Sequence, residues 1–158
     1  MPVPSYLSTF LWSQQLRGAQ AFATKYVGDW LVWEPGPWQA PARNTMSTLK
    51  VDAASATPQQ GDALCFFLGA ANGRALGIGR DPTSDILLSD GTVSRQHAIL
   101  SGLNGAWQVK VVPGRAATLA GLALIESERV ILPGQLLQVG GVQLSFHDTS
   151  SLLRRLSQ

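Results

Sequence analysis

From residue 62 onward the chain is punctuated by turn dipeptides at short intervals, and that rhythm limits its fold more than any other feature. Asn72-Gly73, Asp90-Gly91, Asn104-Gly105, Pro113-Gly114, Pro133-Gly134 and Gly140-Gly141 follow one another, with Gly121 among them. Asn-Gly and Gly-Gly suit two-residue hairpin loops, whose central positions need positive φ. The runs between the turns are short, and several alternate. Trp107, Val109 and Val111 fall on one side with Gln108 and Lys110 on the other, while Val142, Leu144 and Phe146 oppose Gln143 and Ser145. A period of two is the strand period. Many short strands spaced by roughly 8–12 residues predict an all-β fold, an antiparallel sandwich or barrel.

Composition narrows the field by exclusion. At 45% hydrophobic and 14% charged, the chain is too apolar for disorder and too poor in Glu, Lys and Arg for a coiled coil. Its 158 residues suit one domain with an extension. Cys65 is the only cysteine, so an internal disulfide and a Cys-type metal cluster are both excluded, and a reducing compartment is expected. Twelve basic against ten acidic residues leave a net charge of +2 without a dense cluster, which argues against a nucleic-acid-binding surface. The densest pair, Arg154-Arg155, suits the end of a short helix. No basic residue precedes the first apolar stretch, and the longest uncharged apolar run, Ala63 to Ala71, is too short for a membrane span. The expectation is a soluble, cytoplasmic protein with neither membrane nor nucleic acid as partner.

The first third has a different texture, with Trp12, Trp30, Trp33 and Trp38 all before residue 40. Residues 5–27 predict a helix that starts after Pro4 and stops at Gly28. Asp29 to Glu34 reads as a strand closed by Pro35-Gly36-Pro37, residues 40–48 as a loop, and Thr48 to Asp52 as a further strand before a polar linker. The expected division is a helical, Trp-rich extension over residues 1–46, a sandwich over 47–148, and a short C-terminal helix or tail over 149–158. The tryptophans are read as packing residues.

Catalysis is not expected. His97 and His147 are the only histidines, there is no G-x-S-x-G elbow, and Ser94 lies three residues from His97 at a strand entrance. H-E-x-x-H, a cysteine cluster and a dense carboxylate group are all missing, so no metal is expected. Gly77-Ile78-Gly79 lacks the third glycine and following helix of a dinucleotide site, and the P-loop pattern is absent, so no cofactor is expected either. His147, read as following the last strand, and Cys65, in an apolar run, are assigned no role.

One ordered set of residues does carry chemistry: Gly79-Arg80, Asp85-Ile86, Asp90-Gly91, then Val93-Ser94-Arg95-Gln96-His97-Ala98. In this order and spacing, ALGIGRDPTSDILLSDGTVSRQHAIL resembles the core of a forkhead-associated (FHA) domain. The resemblance continues through NGAWQVKV, LAGLAL and LPGQLLQVGGVQLSF and spans about residues 62–147. It implies an FHA/SMAD-like antiparallel β-sandwich and a non-enzymatic adaptor that binds phosphothreonine in a partner protein, a Ser/Thr kinase or its substrate. The residue chemistry agrees. A phosphorylated side chain brings about two negative charges and three acceptor oxygens, which call for a fixed cation and short donors on preorganised loops. Arg80 supplies the guanidinium, Ser94 a hydroxyl, and the N–H groups around residues 92–95 an anion-binding nest. Gly79 and His97 support the site, His97 as a hydrogen-bonded brace, and Arg95 is a further contact. Where the family carries asparagines after the Trp-containing strand, this chain has Arg115 and Ala120. Arg115 offers a second anionic contact in place of backbone recognition. The alternative is a phosphate-independent interaction protein with a degenerate FHA domain, binding through its N-terminal aromatic surface.

Overall fold

A computed structural model describes residues 4–8, 18–35, 57–58, 62–71, 73–124 and 128–156. Within them the elements run β1 (Ser5–Tyr6), α1 (Ala19–Lys25), β2 (Asp29–Trp33), β3 (Leu64–Gly69), β4 (Ala75–Gly79), β5 (Ile86–Leu87), β6 (Ala98–Leu103), β7 (Ala106–Val111), β8 (Ala117–Leu119), β9 (Leu122–Ala123), β10 (Arg129–Ile131), β11 (Leu136–Val139), β12 (Val142–Asp148) and α2 (Thr149–Leu156). Two sheets result. One has seven strands in the order β1-β3-β2-β12-β11-β8-β9, the other five in the order β10-β7-β6-β4-β5.

Alternation sorts the side chains between these layers as the sequence implied. Trp107, Val109 and Val111 of β7 and Val142, Leu144 and Phe146 of β12 are buried in one core with Leu31, Phe66 and Leu100. The turns follow their dipeptides. Asn104 (φ 54°) and Gly105 (φ 79°) join β6 to β7. The β8–β9 loop uses the same left-handed pair, but with Ala120 (φ 52°) before Gly121 (φ 82°). An L-residue with a bare Cβ is disfavoured there by roughly 1–2 kcal/mol, and Asn tolerates it better. Ala120→Asn is therefore expected to raise the urea midpoint, by roughly 0.5–1 kcal/mol of stability at unchanged m-value.

Several expectations are corrected. Ser5 and Tyr6 do not start a helix; they pair with Cys65 and Leu64 as an edge strand, satisfying backbone that would otherwise be open. Helix is described at Leu7 and Ser8 and again over Ala19–Lys25, whereas residues 9–17 lie outside the described residues, as do the proposed loop at 40–48 and strand at 48–52. Asp29–Trp33 is a strand as read, but it is no appendage to the sandwich. It sits between β12 and β3 in the larger sheet, with Leu31 opposite Phe146 and Phe66. Trp30 and Trp33 are accordingly core residues. One strand pair is parallel: β5, only two residues long, runs beside β4 because residues 80–85 fold back over the end of the sheet instead of making a hairpin turn. The amide of Gly77 is satisfied there by Asp85 Oδ2 at 2.9 Å.

Candidate functional site

The residues singled out by sequence lie on loops laced together at one end of the sandwich. At the end of β4, Arg80 N donates to Ser94 O (2.9 Å) and Asp81 N to Arg95 O (3.1 Å), so the two loops run backbone to backbone. The Arg80 side chain is tied to the same loop, with Nε donating to Val93 O at 3.0 Å. Its two terminal nitrogens make no hydrogen bond among the described residues, and the residue is exposed. Gly79 is needed for this approach, since a Cβ there would fall 2.0 Å from Arg95 O. Val93 anchors the loop in the core at 1% exposure, leaving Ser94 half-buried beside it with no partner on its hydroxyl among the described residues.

His97 connects this loop to the next. Its Nδ1 accepts the Ser94 N–H at 3.1 Å, so Nε2 carries the proton and donates to Ala116 O at 2.8 Å. The ring is buried, and both nitrogens are consumed by backbone, which suits a brace and leaves nothing for a base. Arg115, next to Ala116, is exposed; its amide donates to Val112 O at 3.0 Å. Arg95 is exposed as well. Nearby, Asp81 Oδ1 accepts the Thr83 N–H and hydroxyl, and those bonds, with Arg95 close by, hold the exposed carboxyl below its ordinary range.

Sequence reasoning missed Thr92. Asp90 Oδ1 accepts its N–H at 2.8 Å and also its hydroxyl, and its Oγ1 accepts from Gly141 N at 2.7 Å. This bond fastens the Ser94 loop to the β11–β12 turn, where a Cβ on Gly140 would meet Thr92 O at 2.3 Å. The signal available was Asp-Gly-Thr, an Asx-turn sequence directly ahead of the serine. A concavity of about 340 Å³ flanks the loops and is lined by Thr83, Asp85, Gln96 and Ile99, without Arg80 or Ser94.

A second polar group was also missed, on the outer face of the larger sheet. His147 does not follow the last strand; it lies within β12 and is buried, because α2 covers a face that alternation alone assigns to solvent. Its Nε2 meets Ser145 Oγ at 3.0 Å and its Nδ1 meets Ser151 Oγ at 2.8 Å. Burial, then the nearby Arg155 charge, depress its pKa. Glu34 accepts from Arg155 through both carboxylate oxygens and from Ser145 Oγ. Burial works to raise the Glu34 pKa, but the bonds from Arg155 and Ser145 together prevail and hold it below the ordinary value. Cys65 is buried in the same region, and burial pushes its thiol pKa up, leaving it unreactive. Among the described residues no cluster of potential ligands could hold a metal, and no helix is long and apolar enough to cross a membrane.

Comparison with known proteins adds two findings. Residues 69–150 match the family Yop-YscD_cpl, described as the inner membrane component of T3SS, cytoplasmic domain. Among solved structures, the chain is similar to the FHA domain of CT664 protein from Chlamydia trachomatis, with 20% identity, TM-score 0.52, and coverage of 77% of this chain and 98% of that one. It is also similar to the FHA domain of an Arabidopsis thaliana hypothetical protein (16% identity, TM-score 0.53, 78% and 87% covered). An engineered FHA domain with a Myc-pTBD peptide is a third likeness (16% identity, TM-score 0.50, 83% and 98% covered). At these identities the likeness is one of fold: the sandwich has the FHA-domain fold. No curated protein matches the sequence.

Proposed function

Because the chain belongs to the family of the T3SS inner membrane component, cytoplasmic domain, and folds as an FHA sandwich, we propose that it is a non-enzymatic, cytoplasmic module that binds a phosphothreonine-bearing segment of a partner protein. The observation that carries this reading is the double tie of Arg80 to the Ser94 loop, through its backbone N–H and its Nε. That tie fixes a guanidinium beside a hydroxyl with no partner among the described residues, which is the pairing a phosphate monoester needs. The cost of ordering these groups is met on folding and not on binding. The phosphate donor in this reading is a Ser/Thr kinase, acting on the partner or on itself.

Calorimetric titration with a phosphothreonine peptide library and its unphosphorylated twin tests the proposal. Binding is expected for the phosphorylated set alone, with Arg80→Ala weakening it at least about tenfold and Ser94→Ala less, in keeping with a charged and a neutral hydrogen bond. Equal binding of both sets would refute it. A second reading, phosphate-independent assembly with a partner, is favoured by one observation: the loop that bears Arg115 and Ala120 has no side-chain amide to hold a peptide backbone. Of the tryptophans in its aromatic version, Trp30 and Trp33 are buried, and Trp12 and Trp38 lie outside the described residues. A partner retained in full by Arg80→Ala would favour this second reading.

A further inference from the structure

We infer that the ligand of this site carries a second anionic group beside the phosphothreonine, and that Arg115 selects for it. The inference rests on the phosphothreonine reading and concerns what else the loops can recognise. Three arginines belong to the laced loops, and their charges are not equally committed. Arg80 is bound to the Ser94 loop and, with Ser94, faces the phosphate. Arg95 lies near the carboxylate of Asp81, whose acidity it strengthens. Arg115 has no ion pair and no side-chain hydrogen bond among the described residues, where Glu34 with Arg155 forms the ion pair.

Arg115 is nonetheless held close to the phosphate-facing loop. The carbonyl of the adjacent residue, Ala116, and the amide of Ser94 are separated by one imidazole ring and its two hydrogen bonds. Its own amide is fixed by Val112 O after the Pro113-Gly114 turn, where Gly114 takes φ 86°. An exposed guanidinium on a fixed backbone, near a phosphate but with no carboxylate of its own, is suited to bidentate capture of a planar or tetrahedral anion. A carboxylate from Asp or Glu and a second phosphate share this chemistry. A peptide bearing only one phosphothreonine would leave this cation unmatched.

The test uses the full chain and phosphothreonine peptides in which Glu, phosphoserine or Ala is walked through every position on either side. Wild type is expected to prefer one position of Glu or phosphoserine over Ala by about tenfold, a preference that shrinks with added salt. Arg115→Asn should erase the preference, so that the Glu, phosphoserine and Ala series bind alike. The residue is exposed and, among the described residues, only its backbone is bonded, so the variant is expected to melt with wild type. Preference for phosphoserine alone would assign a second phosphate, and equal preference for Glu a general anion. Phosphate-dependent binding with no positional preference, or with one that survives Arg115→Asn, overturns this inference and leaves the phosphothreonine reading intact. Absence of phosphate-dependent binding in every series overturns both.

Discussion

Gly79→Ala will lower the stability of the fold by about 3 kcal/mol, a drop of about 10 °C in melting temperature, and, under the proposed function, will remove phosphopeptide binding. The reason is space and not backbone conformation. Gly79 does not have positive φ, but its missing Cβ is where Arg95 O lies, 2.0 Å from an added methyl carbon, with Arg95 C at 2.8 Å. Both atoms are backbone, so no rotamer change relieves the clash. The loop must retreat, and doing so strains the bonds from Arg80 N to Ser94 O, Asp81 N to Arg95 O and His97 N to Ile78 O. Gly91→Ala is the control, because nothing lies within 4 Å of its Cβ and its φ is ordinary. It should melt within about 0.5 kcal/mol of wild type. If Gly79→Ala melts with that control, the close approach of the two loops is wrong.

Leu152→Ala will cost about 3 kcal/mol by urea denaturation, more than its size alone suggests for a residue on a terminal helix. An eight-residue helix has no stability of its own in water, so α2 stays folded only while it is docked. Leu152 is fully buried against Trp30, Val32, Ala63 and Cys65. Asp148 Oδ1 accepts from Ser151 N at 2.7 Å as a cap, and Thr149 Oγ1 donates to Tyr26 O at 2.6 Å. The Arg155 pair with Glu34 completes the attachment. Losing the apolar anchor loosens all of these together and uncovers the Tyr26, Trp30 and Phe67 ring cluster, which a red shift in tryptophan emission reports. A loss below about 1 kcal/mol would mean that α2 contributes little to the sheet beneath it.

The parts of this molecule that were legible in sequence are those whose cause is local. Trp107, Val109 and Val111 alternate because their neighbours on β7 do, and Asn104-Gly105 names its own turn. The loop serine, Ser94, and its brace, His97, are three positions apart, so their pairing leaves a readable interval. What stayed hidden depends on distant pieces of chain. Nothing within Asp29–Trp33 indicates that its neighbours are β12 and β3, so a change of composition was taken for a domain edge. Ser145 and His147 carry the polar half of a strand pattern, which ordinarily means solvent. Here it means a cover, α2, that follows in sequence but whose docking against β2 and β12 no periodicity records. The same holds for Thr92, whose hydroxyl meets Gly141 across 49 positions.

The placement of β2 beside β12 also governs when the protein can fold. Trp30 and Thr149 meet although they are 119 positions apart, and the strands that join there form the middle of the larger sheet. Closing so long a loop precedes any gain from the pairing, which places the domain among slow, non-local folders, on a scale of milliseconds to seconds. On the ribosome, at about 5–20 residues per second, β2 and β3 emerge many seconds before β12. Throughout that interval the side of β2 destined for β12 is an open, apolar strand edge, the kind of surface that recruits other chains. Chaperone dependence and misassembly during synthesis should therefore centre on Asp29–Trp33 and not on the loops that bear Arg80 and Ser94, whose contacts close within a much shorter stretch of chain.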